Sequence, residues 1–213
     1  MSKIEETLLD FFKAWSSDEH SRYFSWEHCY YFFKKNQKCI INNNDNLLDE
    51  ASLHLSFYLA SWGMYRGSSN LLLNDYKIHK NLVKSLIQNC DYLWNDNITW
   101  EELETARNII KKHYSTYNIT PTDTLITKVL LGIFGCVPAF DNFFKCGLKI
   151  YNRENNKKIP FAFNKSCFNE LCTLAKTITL QPEFKNYPRM RLIDTYFWWT
   201  GGGKEAHKKR AKV

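Results

Sequence analysis

The residues in this chain best suited to chemistry lie between Tyr117 and Ile150, in the run YNITPTDTLITKVLLGIFGCVPAFDNFFKCGLKI. Asp141 follows the apolar turn ValProAlaPhe and stands where a helix should begin. A carboxylate at that place has two uses. It caps the helix by accepting a backbone N–H. Alternatively, at the mouth of an apolar cleft, it stabilises a developing positive charge or activates a water molecule. The positive end of the helix macrodipole favours its charge in either use. A second cluster lies in LASWGMYRGSS, residues 59–69, where Trp62, Tyr65 and Arg66 stand beside Gly63 and Gly67. The glycines permit an unusual backbone and close approach of a ligand. The rings and the guanidinium offer a flat platform with hydrogen-bond donors at its edge. The bland alternative is a buried Trp–Tyr corner in which Arg66 pairs with a carboxylate.

Helices must position these groups, because helical periodicity dominates the chain. Leu8, Phe11, Phe12 and Trp15 recur at three- and four-residue steps and predict a first helix. Further helices are predicted over 22–35, 48–63 and 76–92. Thr99 and Glu102 have the spacing of a capping box opening a helix over 100–114. Pro121 suits the first turn of a helix ending near Phe134. Asp141 to Ile150, Ser166 to Ile178 and Pro188 to Trp199 complete the set, with Gly201–Gly203 expected to stop the last helix. No alternating run is long enough for a strand. The fold class is therefore all-α, with about nine helices and no internal repeat. The expected organisation is one all-α domain over 1–200, or two lobes with a cleft between them, followed by a flexible basic tail over 201–213.

With those elements placed, the stretch around Asp141 resembles the helix-hairpin-helix DNA glycosylase superfamily. In that family a hairpin leads into a helix, and a Pro-hydrophobic-hydrophobic-Asp step leads out into the next helix. ValProAlaPheAsp is similar to that step, and Asp141 takes the position of the family's catalytic carboxylate. The resemblance covers about 35 of the 213 residues. It implies cleavage of an N-glycosidic bond, with the carboxylate facing the oxocarbenium-like sugar. Family hairpins carry two glycines that approach DNA phosphate, whereas AsnIleThrProThrAsp has none. Phosphate contacts would then fall to Thr120, Thr122 and Thr124 and to backbone N–H groups at the helix start. Strand-cleaving members carry a Schiff-base lysine where Thr122 and Asp123 stand here, 18 or 19 residues before Asp141. The implied enzyme is monofunctional, with water as the nucleophile. Trp62, Tyr65 and Arg66 become candidates for holding an extruded base, and Ser68 and Ser69 for reaching phosphate or a substrate hydroxyl. The substrate class is a damaged or hypermodified base, in DNA repair or phage defence.

Composition bounds these readings. The net charge is +7, of which the last ten residues hold +4 through five cations set against Glu205. The remaining +3 leaves a mildly basic body, compatible with a DNA partner. Seven cysteines, at 29, 39, 90, 136, 146, 167 and 172, include no CxxC pair. Reduced thiols in a cytoplasmic protein are expected, with no metal and no cofactor. His28, His54, His79 and His113 share no spacing typical of a metal site or relay. No apolar run approaches a membrane span, so no membrane is expected, and the sequence shows no obligate protein partner. Two alternatives keep the fold without the chemistry: a DNA-binding helical module and a helical protein–protein adaptor.

Overall fold

Ser2 accepts the backbone N–H of Glu5, and the Glu5 carboxylate accepts that of Ser2, a reciprocal cap opening helix α1 (Lys3–Trp15). The computed structural model describes residues 1–210 apart from 17, 19, 43, 44 and 68, and for 209 and 210 the backbone alone. In chain order there follow α2 (Phe24–Ile41), α3 (Asp45–Ser61), α4 (Lys80–Asn89), α5 (Trp100–Ser115) and α6 (Asp123–Ile133). Then come α7 (Asn142–Glu154), α8 (Lys165–Lys176), α9 (Arg189–Trp198) and α10 (Lys204–Arg210). Single 3₁₀ turns cover 70–73, 76–79 and 91–94. No strand occurs among the described residues, and the fold is all-α.

The helix predicted over 22–35 runs on to Ile41, the one predicted over 48–63 is shifted to Asp45–Ser61, and further boundaries are set by local contacts. The stretch 76–92 is broken because Asp75 caps a 3₁₀ turn through Lys77 N–H and Cys90 leaves the helical region at φ −135°. Pro121 precedes α6 instead of entering its first turn, because the Thr122 hydroxyl accepts the N–H of Leu125 and fixes the start at Asp123. The glycines at 201–203 do end the last predicted helix, because Gly202 takes φ +125°, outside the helical range. The chain kinks at Gly202 within the π turn over Trp199–Gly203, and α10 begins beyond it, so residues 204–210 are helical where a flexible tail was expected.

Close packing explains those glycines. The chain divides into two compact units, residues 1–19 with 137–213 and residues 20–136. In the first unit α7 packs against α9 and the π turn. A β-carbon on Gly147 would collide with the Phe197 carbonyl, and one on Gly201 with the Phe143 carbonyl. Backbone therefore meets backbone, and α7 is seated without side chains between. Beyond the turn, Trp199 Nε1 and Lys204 Nζ both donate to Asp10 Oδ2, at 2.8 and 2.7 Å, which fastens α10 to α1. Those two donors hold the Asp10 carboxyl below its ordinary range.

The second unit is built around α6, whose residues from Leu125 to Ile133 are all buried. A helix buried on every face belongs at a core. The indole N–H of Trp26 on α2 donates to Leu131 O on α6 at 2.9 Å. The aromatic run of α2 is largely core, as Trp26, Tyr30 and Phe33 are buried, although Tyr31 is exposed.

Candidate functional site

In the first unit, α9 and α7 together place Asp141. Arg191 and Asp194 lie one turn apart on α9, 7% and 5% exposed, and Arg191 Nη1 donates to Asp194 Oδ2 at 2.6 Å. The other carboxylate oxygen of Asp194 accepts the backbone N–H of Ala139 at 2.8 Å. A buried carboxylate thus fixes the ValProAlaPhe turn two residues before Asp141. Both carboxylate oxygens of Asp194 are therefore engaged within this unit. Asp141 itself is the N-cap of α7: its Oδ1 accepts the N–H of Phe144 at 3.0 Å, and the residue is half-buried.

All other described candidates belong to the second unit. A cleft of about 440 Å³ is lined by the loop after α3 and by the α5–α6 hairpin. It gathers Arg66, Ser69, Thr120 and Thr122, together with Asn118 at the hairpin tip. Asn118 takes φ +56°, the left-handed conformation that a glycine would otherwise supply in this tight turn. Arg66, Thr120 and Thr122 are exposed. Ser69 is engaged in its own turn, donating to Met64 O and accepting Leu71 N–H. Thr124 lies in the first turn of α6 outside the cleft lining. Ser68 lies outside the described residues.

Trp62 and Tyr65 do not line that cleft. The Trp62 indole N–H donates to Ser25 Oγ at 3.1 Å, and the Arg22 guanidinium lies 4.9 Å above the ring. Lys128, on α6 and only 4% exposed, donates to Trp62 O at 2.8 Å. Its ammonium therefore sits on a carbonyl at the C-terminal end of α3, where a cation complements the helix dipole. The Tyr65 hydroxyl lies 2.7 Å from His79 Nε2 and 3.4 Å from Ser56 Oγ.

Sequence spacing leaves His79 without a role, yet it organises this loop. His79 is fully buried, and its Nδ1 lies 3.1 Å from the Tyr114 hydroxyl. Of its two ring nitrogens one donates and one accepts, so the imidazole joins Tyr65 to Tyr114 in a neutral chain. Burial, with a smaller contribution from nearby His113, pushes the His79 pKa down to about 3. Burial likewise pushes the Tyr65 hydroxyl up. One signal was available: His79 shares a helical stripe with Leu82, Val83 and Leu86, all buried.

The described residues contain no group of three or more His, Cys, Asp or Glu side chains fit to hold a metal ion. Cys29, Cys90, Cys136 and Cys167 are buried thiols, whereas Cys39 and Cys146 are exposed. No helix among the described residues is long and apolar enough to cross a membrane. No family model matches the chain, and neither curated proteins nor solved structures give a significant match.

Proposed function

We propose that the protein is a monofunctional DNA glycosylase that hydrolyses the N-glycosidic bond of a damaged or hypermodified base, with Asp141 as its carboxylate. The observation that carries this reading is the placement of Asp141 at the start of α7, after a turn held by a buried ion pair. A carboxylate meant to face a reacting sugar must be held in place by its surroundings before substrate arrives. In the reaction the bond between C1′ and the base nitrogen breaks, water oxygen bonds to C1′, and the departing base gains a proton. Asp141 stabilises the positive charge on the sugar or takes the proton from water. Thr122 and Asp123, in place of an amine nucleophile, support hydrolysis without strand cleavage. The polar cleft with Arg66, Thr120 and Thr122 suits contacts to DNA phosphate.

A second reading, a DNA-binding module without chemistry, is favoured by the cap hydrogen bond from Phe144 to Asp141, which gives the carboxylate a purely structural use. Mass spectrometry of free bases decides between them. The full chain and Asp141→Asn are each incubated with DNAs carrying oxidised, alkylated, deaminated and glucosylated bases. A base released by the wild type and retained with the variant supports the enzyme and names its substrate. Release that persists in Asp141→Asn removes Asp141 from the chemistry. DNA binding without release by either protein supports the module.

A further inference from the structure

We propose that the outward face of α7 is a track for the DNA backbone, on which Lys149 and Arg153, flanked by Lys145 and followed by Lys157 and Lys158, neutralise phosphates of the strand leading away from Asp141. This rests on the reading of Asp141 given above and adds a surface that the hairpin pattern does not contain. The helix buries Phe144, Gly147 and Leu148 on one side. Its opposite side exposes Asn142, Cys146, Lys149 and Arg153, and Lys157 and Lys158 beyond the helix are exposed as well.

Spacing and charge argue for a polyanion. Lys145, Lys149 and Arg153 follow each other at four-residue steps and so spread over about 12 Å of helix axis. B-DNA offers a phosphate on each strand every ~3.4 Å of its axis, so the stripe spans roughly three or four of them. Between Asp141 and Glu154 the helix carries no acidic residue. Glu154 itself is occupied by Lys3, at 2.7 Å. Among the described residues none of the five cations forms an ion pair. A lipid surface fits less well, because a helix lying on a membrane turns its apolar side outward. The apolar side of α7 is spent on α9 and the π turn.

Duplex affinity measured by fluorescence anisotropy, at salt concentrations between ~0.05 and ~0.2 M, tests the track. The full chain is compared with Lys149→Gln/Arg153→Gln and with Lys149→Arg/Arg153→Lys. Removing two phosphate contacts should flatten the slope of log K against log salt by about 2 and weaken binding at low salt by at least about tenfold. The charge-keeping pair should bind as the wild type does. An unchanged slope in the glutamine pair overturns the proposal, as does a wild type that binds anionic vesicles but no duplex. Failure of the glycosylase reading shows separately, as absence of any released base while the slopes still differ.

Discussion

Each unit holds a buried polar network that anchors a loop, and these two are built on opposite electrostatic plans. In the first unit Arg191 and Asp194 form an ion pair at 2.6 Å, and the carboxylate spends its second oxygen on Ala139 N–H. In the second, Ser56, Tyr65, His79 and Tyr114 form a neutral chain whose imidazole is kept uncharged by burial. Each network anchors a segment carrying a candidate group, the turn before Asp141 in one case and the loop before Arg66 in the other. Charge pairing tolerates burial only while both partners remain, whereas a neutral chain tolerates it only while no proton arrives. The same task of holding a loop is therefore exposed to two different failures.

Removing one partner of the charged network should give the largest loss. Asp194→Ala leaves Arg191 buried without that carboxylate and takes the acceptor from Ala139. Such a change costs about 3–5 kcal/mol. Urea unfolding of the variant should show it, and base release should fall with it because the turn before Asp141 loosens. A loss below ~1 kcal/mol would mean that packing rather than the ion pair holds the turn.

Acid should strike the other network. His79 has a native pKa of about 3 against an ordinary value of 6.5. The unfolded chain therefore binds the proton that the folded one refuses. The stabilisation is complete above pH 6.5 and is lost as pH falls towards 3, at about 1.4 kcal/mol for each unit below 6.5. His113, also lowered by burial, acts in the same direction. Unfolding at pH 7 and pH 5 should differ by about 2 kcal/mol from His79 alone. His79→Gln keeps a donor and an acceptor without a titrating group. It should lower stability at pH 7 and shrink the difference between the two pH values. An equal pH dependence in wild type and variant would place the titration elsewhere.

These networks also mark where sequence legibility stops. The Thr99–Glu102 box and the cap at Asp141 are written in residues three apart, and the structure forms both. Local patterns survive because their partners are fixed by helical geometry. Tyr114 lies 35 residues from His79, and Ala139 lies 55 residues from Asp194. No local spacing encodes either contact. The glycines at 201–203 were legible as the end of a helix, which Gly202 at φ +125° provides, but not as a site of close packing. A stop signal and a site of backbone contact need the same residue type, and the contact of Gly201 depends on the position of Phe143 and Gly147, which no local spacing encodes. The hairpin shows a milder case: Asn118 supplies a left-handed turn without glycine, so the lack of glycine does not imply the lack of a turn.

The smallest expected change in stability is also the one that separates the two uses of Asp141. Asparagine caps a helix about as well as aspartate, because its side-chain oxygen accepts the same N–H. Asp141→Asn should therefore retain the bond from Phe144 and shift the unfolding free energy by no more than about 0.5 kcal/mol. Alanine has no acceptor, and Asp141→Ala should cost about 1 kcal/mol. If the carboxylate serves only as a cap, base release and DNA affinity will follow that order, near normal in asparagine and impaired in alanine. If it faces the sugar, the asparagine variant will be as stable as the wild type and still release no base, because an amide cannot carry the negative charge that the oxocarbenium ion requires. A stable, folded and inactive Asp141→Asn cannot be explained by the cap, whereas an active one cannot be explained by the chemistry.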